Sequence, residues 1–176
     1  MAIEVATAVE ADLPELAGVA ARTFPLACPP SVTPENVVAF IDENLSEDRF
    51  RDYLADPDRA VLSAREDARI VGYVMLIRGV PDDKDVQRAV PLHPAIELSK
   101  MYVLPDSQGA GVSAALMSAA LSRAKELDAK CVWLGVNQNN ERAQRFYTKH
   151  GFSINGTKTF RLGTGIENDY VMVRPI

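Results

Sequence analysis

The spacing of apolar and polar residues predicts a chain of strands and helices. Residues Ile3 to Thr7 alternate as a short strand does, and Glu10 to Pro14 opens a helix with acidic residues at its positive end. Three prolines between Phe24 and Pro30 predict a loop there, because proline removes backbone donors. Helical spacing returns at Pro34 to Leu45 and at Glu47 to Leu54.

The second part of the chain alternates strands with helices. Two strands, Ala60 to Arg65 and Ile70 to Arg78, are separated by the four residues of a tight hairpin. The polar segment from Gly79 to Pro94 predicts a surface loop. A strand, turn, helix, strand, helix and strand follow, and a crossover helix favours parallel pairing between Leu98 to Leu104 and Cys131 to Val136.

Composition narrows the class of protein. A chain of 176 residues with 47% hydrophobic residues predicts one globular domain over residues 1–176. The net charge of -5 argues against a nucleic-acid partner and suits a cationic amine. No apolar run is long enough to span a membrane. Two distant cysteines and no leader predict a cytoplasmic protein, for which a monomer and a homodimer both remain open.

A glycine-containing turn carries the first chemical signal. The predicted strand ends at Pro105, Gly109 and Gly111 leave the backbone uncovered, and a helix begins at Val112. Free amides at a helix start attract an anion such as a diphosphate. No Gly-Lys-Ser/Thr follows, so the turn is not an ATP-type loop, and no third glycine completes a dinucleotide fingerprint.

A second motif lies 32 residues beyond Gln108, where the residues from Asn140 to Phe152 match N-x-x-A-x-x-x-Y-x-x-x-G-F. The turn itself matches the Q/R-x-x-G-x-G/A signature through Gln108 and Gly111, with Ser113 in place of the final glycine or alanine. Together these two motifs resemble the GNAT family of N-acetyltransferases. The resemblance implies an α/β (α+β) GNAT fold, with a mixed, mostly antiparallel twisted sheet of six or seven strands, parallel splayed strands 4 and 5, and about four flanking helices.

The same resemblance implies a co-substrate, acetyl-CoA, bound between the two splayed strands. It places Asn140 on the pantetheine arm, Ala143 where close packing is needed, and Tyr147 beside the sulfur, where a phenol can protonate the departing thiolate. The other residues that it assigns to the cofactor are Met101, Tyr102 and Val103 on the first strand and Gln108, Gly109, Ala110, Gly111, Val112 and Ser113 in the turn.

The attacking amine has to be neutral, and a free alkylamine is mostly protonated near pH 7, so a proton acceptor is needed. Glu97, at the start of the central strand, is the first carboxylate to test as this base. A packing role for Tyr147, a purely capping role for Asn140 and a structural role for Glu97 stay open. We expect no metal and no covalent acyl-enzyme.

Further pieces, among them Arg22-Thr23-Phe24 and Ile70-Val71-Gly72-Tyr73, resemble the PaiA-like branch, which is associated with acetylation of spermidine and spermine. Phe24, Asp42 and Glu43 are then candidates for binding the acceptor, although a solvated acidic face explains the two acids equally well. Two alternatives remain open: acetylation of a protein N-terminus or lysine, and a non-catalytic module that only binds acetyl-CoA.

Overall fold

The computed structural model describes residues 2–109 and 111–176. Within these residues the chain forms seven strands and six α-helices. The strands are β1 (Ile3–Thr7), β2 (Arg59–Glu66), β3 (Arg69–Arg78), β4 (Ala95–Val103), β5 (Cys131–Asn137), β6 (Ser153–Leu162) and β7 (Gly165–Pro175). The helices are α1 (Leu13–Ala27), α2 (Pro34–Asn44), α3 (Glu47–Ala55), α4 (Lys84–Ala89), α5 (Val112–Glu126) and α6 (Glu141–Lys149).

All seven strands belong to one sheet in the order β1-β2-β3-β4-β5-β7-β6. Every pairing is antiparallel except that of β4 with β5, which is parallel. The mixed, mostly antiparallel sheet with its parallel fourth and fifth strands is therefore confirmed. The three helical stretches predicted before β2 correspond to α1, α2 and α3, and α4 is an additional helix.

The sheet carries helices on both faces. Successive side chains of a strand point to opposite sides, so Gly72 faces Leu116 of α5 while its neighbour Tyr73 packs against Phe50 of α3. Helix α1 lies with α3, against β3 and β4. Phe24, in the last turn of α1, stacks on Phe40 of α2 at 4.4 Å between ring centroids. A continuous apolar core results on the side of α1, α2 and α3.

The prediction of a loop from Phe24 to Pro30 was wrong for its first half, since α1 continues through Ala27. Pro25 lies in the last turn, where losing one backbone donor costs less than in a helix centre, and burial of Phe24 against Phe40 favours the extra turn. The helix stops at Cys28, which has extended backbone and is followed by two prolines.

The segment from Gly79 to Pro94 is not simply a surface loop. It contains α4, whose start is capped by the Asp83 carboxylate accepting from the backbone N–H groups of Asp85 and Val86. Val86, Ala89 and Val90 are buried in a second apolar cluster around Trp133. The acidic run that predicted a loop is therefore the solvated start of a short helix.

The close approach at Gly72 gives a stability test. A Cβ atom there would lie 2.9 Å from the carbonyl oxygen of Tyr102 and 3.2 Å from a methyl group of Leu116. We expect Gly72→Ala to lower the free energy of unfolding by about 1–3 kcal/mol through overpacking, measured by denaturant titration. Gly18→Ala is the control. Gly18 is exposed on α1, and an added methyl group would have no neighbour within 4 Å in the described chain. This substitution should raise the free energy of unfolding by about 0.5–1 kcal/mol, because alanine loses less backbone freedom on folding than glycine does. Equal stability of Gly72→Ala and the wild type would contradict this packing.

Candidate active site

Strands β4 and β5 separate soon after they meet. Their parallel pairing covers only three residue pairs, ending at Glu97 opposite Trp133. Beyond this point β4 stays paired with β3 and β5 with β7, so the facing edges of β4 and β5 keep unpaired backbone groups. The gap opens into a cavity of about 280 Å³. An extended ligand can enter it and hydrogen-bond to the free edge of β4.

A β-bulge in β4 sets the side chains that face this cavity. Met75 pairs with Lys100 and Leu76 with Leu98, so Ser99 is the additional residue. Because side chains alternate along a strand, the bulge brings Glu97 and Lys100, three positions apart, to the same side. Both line the cavity.

The turn after β4 ends in an open helix start. Gly109 and Gly111 both have φ near +85°, at 86° and 83°, and a Cβ atom at either would meet no atom of the described chain within 4 Å. Gly111 precedes α5 and offers no side-chain cap, so the first N–H groups of α5 face outward. Such a helix start suits a diphosphate. Ala110, also predicted here, lies outside the described residues.

Three predicted residues around this turn, Gln108, Val112 and Ser113, differ in their contacts and in their exposure. Gln108 donates through its side-chain amide to the carbonyl of Val103 at 3.4 Å and accepts from Arg142 at 3.2 Å. The sequence analysis missed Arg142, which adds a positive charge from α6 beside the turn. Val112 is buried in the core, which leaves only its backbone for a ligand, whereas Ser113 is partly exposed.

Helix α6 borders the gap on its β5 side. The Asn140 side chain accepts from the Ala143 backbone N–H at 3.1 Å and so caps the helix. Asn140, Ala143 and Tyr147 all line the cavity, as do Met101 and Tyr102 from β4. Val103 is buried at the end of β4 and does not line it. No described residue of the turn from 108 to 113 lines this cavity, but the Gln108 side chain accepts from Arg142 of α6, so the two sequence motifs are in contact.

Tyr147 lies in an aromatic, largely desolvated environment. Its ring packs against Phe146 and Phe152, with centroids 5.6 and 5.8 Å away. Burial raises the pKa of the Tyr147 phenol to about 12. The phenol therefore keeps its proton at neutral pH, as a proton donor must.

Glu97 lies where β4 and β5 begin to separate. Burial raises the pKa of its carboxyl group above the ordinary glutamate value, while Lys158, Lys100 and Arg59 act in the opposite direction. A carboxylate with a raised pKa in a cleft is a candidate proton acceptor.

The acceptor side of the cavity is aromatic and charged. Phe24, Phe40 and Phe160 form its apolar wall, with Phe40 and Phe160 at 5.5 Å. Asp42 and Glu43, predicted to bind the acceptor, are exposed on α2 and do not line the cavity.

Several charged cavity residues were absent from the sequence analysis. Lys158 of β6 forms an ion pair with Asp169 of β7 at 3.4 Å, and Glu167 and Lys100 line the same space. Lys158 and Asp169 are direct cross-strand partners, which becomes visible only once the β6–β7 register is known. Lys100 carried a signal, as a lysine inside a strand of otherwise mostly apolar residues.

The described chain shows neither a metal site nor a membrane-spanning helix. No group of three or more His, Cys, Asp or Glu side chains in residues 2–109 and 111–176 is placed to hold a metal ion. Within the same residues, no helix is both long and apolar enough to cross a bilayer. Cys28 lines the cavity, but burial raises the pKa of its thiol to about 11, so it is not an activated nucleophile.

Proteins of known sequence include two relatives that match over nearly the whole chain. An uncharacterized N-acetyltransferase of Mycobacterium tuberculosis is 61% identical over 165 residues, covering 94% of this chain and 98% of the relative. An uncharacterized N-acetyltransferase from the pepI 3′ region of Lactobacillus delbrueckii subsp. lactis is 24% identical over 174 residues, covering 99% and 98%.

Solved structures share the fold. The PaiA N-acetyltransferase of Thermoplasma acidophilum, in complex with coenzyme A, superimposes with a TM-score of 0.79 at 19% identity and full coverage of both chains. The ribosomal-protein-S18-alanine N-acetyltransferase of Escherichia coli gives 0.69 at 18% identity, covering 99% of this chain and 94% of the other.

The sequence profile of the acetyltransferase (GNAT) family matches residues 25–152, a span that contains β4, the glycine turn and α6. The family profile covers most of the chain, and the mycobacterial relative is named as an N-acetyltransferase. This chain belongs to the acetyltransferase (GNAT) family.

Proposed function

We propose that this N-acetyltransferase transfers the acetyl group of acetyl-CoA directly to a small primary amine, with both reactants bound together. The observation that carries the proposal is the cavity at the β4–β5 gap, which Tyr147 lines, with the uncapped start of α5 following the end of β4. The turn from Gln108 to Ser113 would hold the diphosphate, and the free edge of β4 would pair with the pantetheine arm.

The chemistry divides between two residues of the chain. Glu97, directly or through water, takes the proton that leaves the amine nitrogen as nitrogen attacks the thioester carbon. Tyr147 donates its phenolic proton to sulfur as the carbon–sulfur bond breaks. The products are an N-acetyl amine and a free thiol. Placing amine and thioester side by side supplies further acceleration.

A polyamine is the acceptor that the sequence resemblance suggests. The carboxylates of Glu97, Glu167 and Asp169 in the cavity support a cationic acceptor, whereas Asp42 and Glu43 could act only outside the cavity. Asp169 is already paired with Lys158. A peptidyl acceptor is the second candidate, because a peptidyl-lysine N-acetyltransferase of Escherichia coli is 39% identical over 59 residues, 34% of this chain and 37% of that protein.

Ser113→Asp tests the diphosphate site. A carboxylate in the first turn of α5 interacts favourably with the helix dipole, so the variant should still fold. The same carboxylate repels a diphosphate. We expect at least a tenfold loss of acetyl-CoA affinity by calorimetry, with unchanged affinity for S-acetylpantetheine, which lacks the diphosphate.

Ser122→Asp, on the exposed far half of α5, is the matched control and should bind acetyl-CoA as the wild type does. Wild-type affinity in Ser113→Asp would place the diphosphate elsewhere. A wild-type protein that binds no acetyl-CoA, or that releases no thiol with any amine, would refute the proposed activity.

Tyr147→Phe tests the proton donor. Removing the phenol should lower kcat about 100-fold or more with little change in the KM for acetyl-CoA, because the proton is needed only in the bond-breaking step. Tyr170→Phe, a partly buried tyrosine that does not line the cavity, should keep its rate. Nearly full turnover of Tyr147→Phe at saturating acetyl-CoA would leave Tyr147 a packing residue.

Glu97→Gln tests the base through pH dependence. The base acts when ionised, so kcat/KM should rise as pH increases through the pKa of Glu97, which burial places above the ordinary glutamate range. The variant should lose this acidic limb, and the exposed Glu126→Gln should keep it. An acidic limb that is identical in wild type and Glu97→Gln would exclude Glu97 as the base.

A further inference from the structure

Lys100 is the charged cavity residue that the proposed reaction does not use. It is partly buried, and its ammonium nitrogen lies 5.9 Å from the centre of the Phe40 ring. The cavity wall there is aromatic, with Phe24 stacked behind Phe40. Lysine side chains normally extend their ammonium group into water, so this placement needs a reason.

The Lys100 ammonium group has no ion-pair partner among the described residues. Within residues 2–109 and 111–176, its ammonium group forms neither an ion pair nor a hydrogen bond, although Glu97 lines the same cavity. Burial lowers the pKa of Lys100 to about 8, with Glu97 opposing the shift and Arg59 adding to it. An ammonium group that faces a cavity without a protein partner is available to an anionic ligand, with which it can form charge-assisted hydrogen bonds.

The second lysine of the cavity differs in this respect. Lys158 is held by Asp169 at 3.4 Å, with both side chains largely buried, so its charge is already balanced. The Lys158 side chain also packs directly over Gly135, where it leaves no room for a Cβ atom. Lys158 is thus part of the cavity wall. Among the described lysines that line the cavity, Lys100 is the one whose charge is available to a ligand.

The carboxylates lie elsewhere in the same space. Glu97 lies at the point where β4 and β5 separate, and Glu167 belongs to β7, whereas Lys100 lies beyond the bulge towards α2. The cavity therefore offers acidic groups to an amine and a separate cation to an acid. Phosphate groups of acetyl-CoA are not the natural partner of Lys100, because its side chain extends towards Phe40 of α2, whereas α5 packs on the opposite face of the sheet.

We infer that the acceptor is a compact amine that also carries a carboxylate, of which a free amino acid is the simplest form, and that Lys100 binds this carboxylate while the amine faces Glu97. The inference rests on the proposed acetyltransferase activity and specifies its acceptor. It disfavours spermidine, whose charges are all positive and which would meet Lys100 with no anion to offer.

Matched acceptors test the inference directly. Each free amino acid is compared with its own amide and with its decarboxylated amine, at saturating acetyl-CoA, by thiol release and by mass spectrometry of the N-acetyl product. We expect at least one amino acid to exceed both of its counterparts tenfold or more in kcat/KM, and to exceed spermidine.

Lys100→Met keeps the length of the side chain and removes its charge. The wild type and this variant are compared at a pH above the acidic limb of both, because Lys100 also lowers the pKa of Glu97. For the preferred amino acid we expect kcat/KM to fall at least tenfold, mainly through KM, with less than a threefold change for the matched amide. The thermal midpoint should change little, because Lys100 forms no ion pair or hydrogen bond within the described chain that the variant would lose. Lys125→Met, at an exposed position of α5, is the control and should retain the wild-type preference.

The outcomes separate this inference from the proposed function. The inference that the acceptor carries a carboxylate would be overturned if spermidine or the amides released thiol as fast as the amino acids or faster, and if Lys100→Met did not change these rates. The proposed acetyltransferase activity would not be affected by that result. A preference for succinyl-CoA over acetyl-CoA that Lys100→Met abolishes would also overturn it, because the carboxylate would then belong to the acyl donor. Absence of acetyl-CoA binding in the wild type would instead refute the activity itself.

Discussion

The separation of β4 from β5 after three residue pairs is the constraint on which the cleft depends. Two neighbouring strands that stop pairing leave backbone donors and acceptors unsatisfied, which a soluble domain tolerates only where water or a ligand can reach them. Outer pairings with β3 and β7 hold both strands in place while the inner edges diverge. The protein thereby maintains a polar opening in the middle of its sheet.

Two short irregularities turn this opening into a site. The bulge at Ser99 sets Glu97 and Lys100 on one side of β4, where regular alternation would have separated them. The glycine turn then starts α5 shortly after the same strand with no side-chain cap, because Gly109 and Gly111 adopt positive φ without a side chain above them. One strand therefore carries the reacting end and the anion-binding end of the cleft.

The walls of the cavity come from segments far apart in the chain. Phe24 lies in the last turn of α1, where the prolines predicted a loop. Its ring stacks on Phe40 of α2 and closes one side of the cavity. The β6–β7 hairpin closes the other side and is tied to α2, where the Asn36 side chain accepts from the backbone N–H and hydroxyl of Thr164.

Local patterns in the sequence determined the strands, most helices, the glycine turn and the motif from Asn140 to Phe152, because periodicity, capping and glycine chemistry act over a few residues. Tertiary structure alone decided the bulge at Ser99, the partner of Lys158 and the exposure of Asp42, since each depends on strand register or on which helix face meets the sheet. The sequence therefore determined which segments form the glycine turn and α6. The charges of the acceptor half follow from pairings between residues that are distant in the chain, and no local pattern records them.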